Sequence, residues 1–118
     1  MALVLCTGSD PTLLETRRMI LERAGHTVVS AMNVSDVTLA CKSHRFHVAV
    51  IGQSISPDSK RVIAQLVRHN CPSARILELF PPYYGKTLED ADSWLAVPTS
   101  VPKELGDVVT QLADAGSS

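Results

Sequence analysis

Short apolar runs alternate with longer amphipathic stretches along the whole chain. The most strand-like run is Val48–Ile51, four consecutive apolar residues that Gly52 ends before a polar loop. A continuous apolar run bounded by turn residues is typical of a parallel strand that is covered on both faces. Ligands in open α/β sheets bind just beyond the carboxyl ends of such strands, so Gly52 and Gln53 stand where functional groups are expected.

The same pattern predicts five strands and five helical segments. The strands are expected at Ala2–Thr7, His26–Ala31, Phe46–Gly52, Ala74–Phe80 and Trp94–Val97. Full helices are expected to start near Pro11, Ser35, Ser56 and residues 100–102. The segment after the fourth strand begins with two prolines, so its helix is expected to be shortened to one or two turns. Strict alternation of strands and helices predicts an α/β fold, a parallel sheet with helices on both faces.

Several polar positions carry specific expectations. Asp10 is the expected N-cap of the first helix and Ser35 that of the second, and Arg17 is expected on the solvent face of the first helix. Val62 is expected to face inward. Glu78 interrupts an apolar strand, where an unpaired charge is costly. Either a basic side chain on a neighbouring helix pairs with it or, as we favour, the shortened fourth helical segment leaves it partly in solvent.

Composition limits the class of protein. The 118 residues, of 12.7 kDa, indicate one domain, residues 1–114, followed by a frayed segment, residues 115–118. Eleven Lys+Arg against twelve Asp+Glu leave no basic field for nucleic acid. Three widely spaced cysteines exclude a disulfide framework or a cysteine zinc site. The initial apolar run is too short for a signal peptide or a membrane span, so a cytoplasmic location is expected.

Four segments resemble the response-regulator receiver domain, the CheY-like family of two-component signalling. Trp94–Pro98 (WLAVP) followed by Lys103–Leu105 (KEL) is similar to the family's aromatic-Leu-x-Lys-Pro motif and its Glu-Leu. Phe46–Ile51 is similar to the run before the family's phosphorylated aspartate, and Gly25–Val28 to the turn between its first helix and second strand. The resemblance covers residues 3–113. It implies a flavodoxin-like, doubly wound five-stranded sheet in the order 2-1-3-4-5.

The family's functional positions fall on residues that lack its chemistry. Its magnesium-binding acidic pair falls on Gly8 and Ser9, and its phosphorylated aspartate falls on Gly52. Its switch hydroxyl and phosphate-binding lysine fall on two apolar side chains. The resemblance therefore implies a degenerate phosphorylation pocket, made of Gly8, Ser9, Asp10, Gly52, Phe80 and Val97. Without carboxylate ligands, a carboxylate nucleophile or a cationic clamp, we expect no catalytic residue, no metal and no cofactor.

Three of the five aromatic residues, Tyr83, Tyr84 and Trp94, are expected near one end of the sheet. They either bind a partner, since tyrosine and tryptophan are common in binding hot spots, or cover the gap left by the shortened helix. In the family, the face formed by the fourth helix, fifth strand and fifth helix carries output and dimer contacts. A homodimer through this face is therefore one expectation.

These observations lead to one favoured hypothesis and two alternatives. We favour a stand-alone, atypical receiver domain in bacterial two-component or phosphorelay signalling, which binds a protein partner without being phosphorylated and is not an enzyme. The first alternative is a sensor of a small ligand or anion that uses the crevice near Gly8, Gly52 and Phe80. The second is an enzyme, which would need a polar constellation at these strand ends.

Overall fold

The computed structural model of the chain describes residues 2–116. The strands are β1 (Leu3–Thr7), β2 (Thr27–Ala31), β3 (Val48–Ile51), β4 (Arg75–Phe80) and β5 (Ser93–Ala96). The helices are α1 (Pro11–Arg23), α2 (Val34–Ser43), α3 (Pro57–Asn70) and α4 (Lys103–Gly116). Each strand lies close to its predicted bounds. Within residues 2–116, no helix combines the length and apolar content that a membrane span requires.

All five strands are parallel and lie in the order β2-β1-β3-β4-β5. The α/β class and the strand order are therefore confirmed. The central strand β3 is fully buried along its length, as its continuous apolar sequence predicts. Its neighbour β1 pairs with it so that Thr7 lies opposite Ile51, and the loops after these two strands are consequently adjacent.

Two apolar layers cover the sheet, because successive side chains of each strand point to opposite faces. One layer joins strand residues such as Leu5 and Ile51 to α2 and α3 through Val37 and Val67. The other joins the alternate strand residues to α1 and α4. This second layer contains Val4, Cys6, Val50, Leu77 and Leu79 from the strands and Leu14, Leu21, Leu105 and Val109 from the helices.

The helix starts follow ordinary capping rules, with one correction. The Asp10 carboxylate accepts hydrogen bonds from the amides of Thr12 and Leu13, which confirms Asp10 as the N-cap of α1. The prediction that Ser35 caps α2 was wrong. Asn33 is the cap, and its side chain accepts a bond of 2.8 Å from the amide of Asp36. The cap thus lies two residues earlier in the chain than predicted, and the Asn33 side chain satisfies one of the free amides of the first turn.

Two helix faces also differ from the prediction. Arg17, expected in solvent, is buried, whereas Val62, expected in the core, is exposed. In α3 the buried side chains are instead Lys60, Ile63, Ala64 and Val67. The buried face of α3 is thus rotated slightly toward Lys60, whose charge requires a partner.

That partner is Glu78 of β4, and the pair corrects our favoured interpretation of this glutamate. Glu78 has 0% exposure and is not partly in solvent. The Lys60 ammonium lies 2.8 Å from its Oε2 and also donates to the carbonyl oxygen of Leu79 at 2.9 Å. The less favoured alternative, pairing with a basic residue on a neighbouring helix, describes the structure. A buried charge needs an ionic partner and a full set of hydrogen bonds to offset the cost of its removal from water.

The segment between β4 and β5, called the β4–β5 loop here (residues 81–92), contains turns and no helix. Its shortening is therefore greater than the one or two helical turns that the sequence allowed. The Glu78 carboxylate organises this loop by accepting hydrogen bonds from the backbone amides of Thr87 (2.9 and 3.0 Å) and Leu88 (2.7 Å). Leu88 and Ala91 are buried and cover the sheet where a helix would otherwise pack.

The assignment of residues 1–114 to one domain stays a prediction. The last helix runs to Gly116, beyond Ala115, where fraying was expected to begin. Residues 117–118 of the expected frayed segment lie outside the described residues.

Candidate functional site

The candidate site is the crevice at the carboxyl ends of β1 and β3. Because these strands are neighbours, Gly8 and Gly52 follow them side by side. The amide of Gly52 donates to the carbonyl oxygen of Thr7 at 3.0 Å, and the amide of Gly8 donates to that of Ala31 at 3.2 Å. The backbone of each loop is thus fixed to the adjacent strand.

Position 52 has no room for a side chain in this arrangement. A Cβ atom on Gly52 would lie 2.6 Å from the carbonyl oxygen of Thr7, 3.2 Å from the Arg17 Nη1 and 3.3 Å from the Gly8 Cα. Two of these three neighbours are backbone atoms, which yield less readily than the end of a flexible side chain. Glycine is therefore required here by the close approach of two backbones.

The Arg17 guanidinium fills the space above Gly52, and sequence analysis missed it. Arg17 is only 7% exposed, and its Nη2 donates a hydrogen bond to the Gln53 side-chain oxygen. Burial lowers the pKa of Arg17 from its ordinary value, while nearby Cys6 and Asp10 act in the opposite direction. The sequence signal for this burial is the spacing of residues along α1. Arg17 is three residues after Leu14 and four before Leu21, so all three share the buried face of α1.

Two serines connect the same loops farther out. The hydroxyls of Ser9 and Ser54 lie 2.9 Å apart, and the Ser9 amide also points to the Ser54 hydroxyl at 3.4 Å. Asp10, the one acidic residue of the predicted pocket, is directed toward the first turn of α1 as its cap. The crevice is consequently crossed by contacts between its two sides.

The remaining predicted pocket residues, Phe80 and Val97, lie at the ends of β4 and β5. They are paired through the backbone, since the Val97 amide donates to the Phe80 carbonyl oxygen at 3.0 Å. The immediate neighbours of Gly52 are Thr7, Gly8 and Arg17 instead. The structure thus brings Gly8, Ser9 and Gly52 together, with Arg17 as the side chain that occupies the centre.

The three aromatic residues have two different environments. Tyr83 is 91% exposed and Tyr84 66% exposed, so they leave the sheet uncovered. Trp94 is half-buried, and its indole Nε1 donates to the Leu88 carbonyl oxygen at 2.8 Å. The Lys86 ammonium lies 4.7 Å from the centre of the Trp94 ring, a cation–π contact. Trp94 therefore supports the β4–β5 loop, while the tyrosines are displayed to solvent.

A small cavity accompanies the exposed tyrosines. It measures about 230 Å³ and lies between the start of α3 and the first turn of the β4–β5 loop. Its apolar lining includes Ile55, Pro57, Pro81 and the two tyrosines. Within residues 2–116, no three His, Cys, Asp or Glu side chains gather as a metal-binding group.

Comparison with solved structures identifies the architecture. A CheY-like response regulator receiver domain from Methanospirillum hungatei superposes with a TM-score of 0.83 at 16% identity, covering 99% of this chain and 97% of that one. The chain has the receiver-domain fold. The response regulator TrrA from Thermotoga maritima, solved in complex with Mg(2+)-BeF, gives a TM-score of 0.78 at 21% identity, covering 95% and 99% of the two chains.

A response regulator receiver domain from Clostridium thermocellum gives a similar result. Its TM-score is 0.80 at 18% identity, and 99% of this chain and 98% of that chain are covered. No family model and no curated protein sequence matches the chain. The receiver fold therefore accommodates a sequence that is only 16–21% identical to those of these three structures.

Proposed function

We propose that this chain is an atypical receiver domain that acts in bacterial signal transduction by binding a protein partner, without aspartyl phosphorylation. The observation that carries the proposal is the closure of position 52. Backbone atoms of Thr7 and Gly8 and the guanidinium of Arg17 occupy the space that a Cβ on Gly52 would enter, at the position where the receiver family has its phosphorylated aspartate.

The chemistry of the surrounding residues supports the same conclusion. Formation of an aspartyl phosphate needs a carboxylate nucleophile, and magnesium prefers oxygen ligands that include carboxylates. The corresponding positions here are Gly52 and the pair Gly8 and Ser9, and the single acid, Asp10, caps α1. Asp58 is the nearest acid after Gly52. It lies in the first turn of α3, where a carboxylate stabilises the helix dipole.

The display of Tyr83 and Tyr84 supports a protein partner. Large exposed aromatic side chains beside a small cavity are typical anchors of protein interfaces. The β4–β5 loop that carries them is fixed by Glu78, so the tyrosines project from an ordered backbone. The partner is a signalling protein of the cytoplasm or, through the face that includes β5 and α4, a second copy of this chain.

Phosphorylation is tested by adding magnesium with acetyl phosphate or beryllium fluoride to the labelled protein while amide chemical shifts are recorded. We expect no saturable shift at Gly8, Ser9, Gly52 or Gln53. Saturable shifts at these amides would overturn the proposal. The variant Asp58→Asn is the control, since shifts confined to α3 that this variant abolishes would instead identify Asp58 as a relocated site.

Partner binding is tested by the double variant Tyr83→Ala/Tyr84→Ala. Candidate signalling partners and self-association are measured by calorimetry and by sedimentation, with Leu39→Ala as the control. Leu39 is an exposed apolar residue on α2, away from the β4–β5 loop. We expect the double variant to weaken binding at least tenfold and the control to leave binding unchanged. Equal binding by both variants would exclude the tyrosine surface.

The buried cation favours one alternative, a sensor of anions. Arg17 makes no ion pair with a carboxylate within 4.0 Å among residues 2–116, and its guanidinium lies beside Gly8 and Gly52. Against this alternative, the loops on both sides are already joined through Ser9 and Ser54. Titration with inorganic phosphate distinguishes the two functions. A saturable response that Arg17→Met abolishes would establish the sensor.

A further inference from the structure

The ends of α2 and α3 bring two cysteines together at the amino end of the sheet. Cys41 lies in the last turn of α2, and Cys71 caps the C-terminus of α3. The Cys71 Sγ points to the carbonyl oxygens of Cys41 (3.9 Å) and His44 (3.7 Å), and both cysteines line one cavity. The two cysteines therefore lie close together although they are 30 positions apart.

A cavity gives access to this pair. It measures about 560 Å³ and is lined by both cysteines together with Lys42, His44 and Arg45. The two cysteines are only 7% and 4% exposed, so the cavity admits a small reagent better than a protein. Cys6 has a different environment. It is fully buried in β1, in the apolar layer on the other face of the sheet.

We propose that Cys41 and Cys71 form a reversible redox pair, which hydrogen peroxide oxidises to an intramolecular disulfide. The thiolate of one cysteine attacks a peroxide oxygen, breaks the O–O bond and becomes a sulfenic acid, releasing hydroxide that takes up a proton to form water. The second thiol attacks the sulfenic sulfur and releases the other water molecule. Two electrons pass from the two sulfurs to the peroxide, and a dithiol reductant reverses the step by exchange.

Burial sets the rate of this reaction. It raises the pKa of the Cys41 thiol to about 12, and the neighbouring Cys71 thiol acts in the same direction. Since the thiolate is the reactive form, oxidation is slow near neutral pH and its rate constant rises about tenfold per pH unit. The pair thus responds to sustained rather than brief exposure to the oxidant.

The experiment counts free thiols before and after treatment of the whole chain with hydrogen peroxide. The protein is then unfolded in the presence of an alkylating agent, and its intact mass is measured. We expect three alkylated cysteines before oxidation and one afterwards, with the loss of two hydrogen atoms. Peptide mapping should join Cys41 to Cys71, and dithiothreitol should restore three alkylated cysteines.

Variants and a folded-state control complete the test. Cys6→Ser should retain the disulfide, whereas Cys71→Ser should lose it. The oxidised wild type should unfold at a Tm several degrees higher, because the bond restricts the unfolded chain. Three alkylatable cysteines after oxidation, a disulfide that includes Cys6, or the same mixture of pairings in the native and urea-unfolded chains would overturn the proposal.

Discussion

At the scale of single residues, three buried charged side chains, the pair Lys60 and Glu78 and the separate Arg17, distinguish this chain from an ordinary apolar core. Lys60 and Glu78 form a closed pair in which every charged group has hydrogen-bonding partners. Arg17 is held by a neutral partner, Gln53, and by weaker attraction to Asp10. The Lys60–Glu78 pair organises the β4–β5 loop, and the Arg17 guanidinium fills the crevice beside Gly52. Both therefore do structural work at the carboxyl ends of the strands.

The buried pair leads to a prediction about stability. Lys60→Met leaves the Glu78 carboxylate buried without its cation, so we expect a loss of about 3–5 kcal/mol in the free energy of unfolding. Arg61→Met is the matched control, because Arg61 is the next residue, is exposed and pairs with the exposed Asp58. Urea unfolding measures both variants. Similar losses for the two would contradict the importance of the buried pair.

A second prediction concerns His26 and pH. Its Nδ1 accepts a hydrogen bond from the Ala2 amide, and its Nε2 bonds to the Thr110 hydroxyl of α4 at 2.9 Å, so the folded chain holds the neutral ring. Burial lowers the pKa of His26 below its ordinary value. Below about pH 6.5 the unfolded chain then binds more protons than the folded chain, and stability falls as pH decreases.

Urea unfolding at a series of pH values measures this effect. The contribution of His26 should be complete above the ordinary histidine pKa and be lost as the pH falls toward the lowered one. In His26→Gln, this part of the pH dependence should disappear while the other three histidines remain. An unchanged profile in the variant would assign the pH dependence to other groups.

At the scale of elements, the β4–β5 loop is the main departure from regular alternation. It replaces a helix by turns that are fixed at three points: by the Glu78 carboxylate, by the Trp94 indole and by Arg68, which donates to the Asp90 carbonyl oxygen at 2.7 Å. These hydrogen bonds hold the loop against α3, β4 and β5. This order allows its exposed tyrosines to be presented in one geometry.

The indole anchor is tested by Trp94→Phe. The variant keeps an aromatic ring for Lys86 but loses the donor to the Leu88 carbonyl oxygen, which should cost about 1 kcal/mol. Hydrogen exchange at the amides of Thr87 and Leu88 should accelerate. Tyr83→Phe serves as the control, because its exposed side chain leaves the loop unchanged. Equal exchange rates in the two variants would show that the indole hydrogen bond does not fix the loop.

The elements were more predictable from sequence than the site. Continuous apolar runs such as Val48–Ile51 leave few alternatives to a buried parallel strand, so the sheet follows from local pattern. Arg17 and Glu78 depend on tertiary contacts, since their partners lie 36 and 18 residues away. The sequence shows that both residues are charged, but it does not show which residue each of them pairs with. The absence of family side chains at Gly8 and Gly52 was visible in the sequence, whereas the guanidinium that fills the space was not.

At the scale of the whole molecule, the two apolar layers share one sheet. Every strand contributes alternate side chains to both layers, so neither layer has a strand that belongs to it alone. Loss of either layer would expose one face of the strands on which the other layer also depends. This arrangement favours cooperative unfolding.

Calorimetry tests this expectation together with the one-domain assignment. We expect one thermal transition with equal calorimetric and van't Hoff enthalpies, the former near about 0.7 kcal/mol per residue. A Tm that is independent of protein concentration indicates a monomer, whereas a Tm that rises with concentration indicates the homodimer. Two separate transitions would contradict the assignment of residues 1–114 to one domain.

The contacts that cross the crevice, Arg17 to Gln53 and Ser9 to Ser54, have a consequence for the function proposed above. A protein that alternates between two conformations binds its partner with an affinity reduced by the fraction of the competent one. Under the proposed function, loops that are joined to each other would hold one binding conformation, and this reduction would be absent. The fraction of partner bound would then follow the concentration of the chain relative to the Kd.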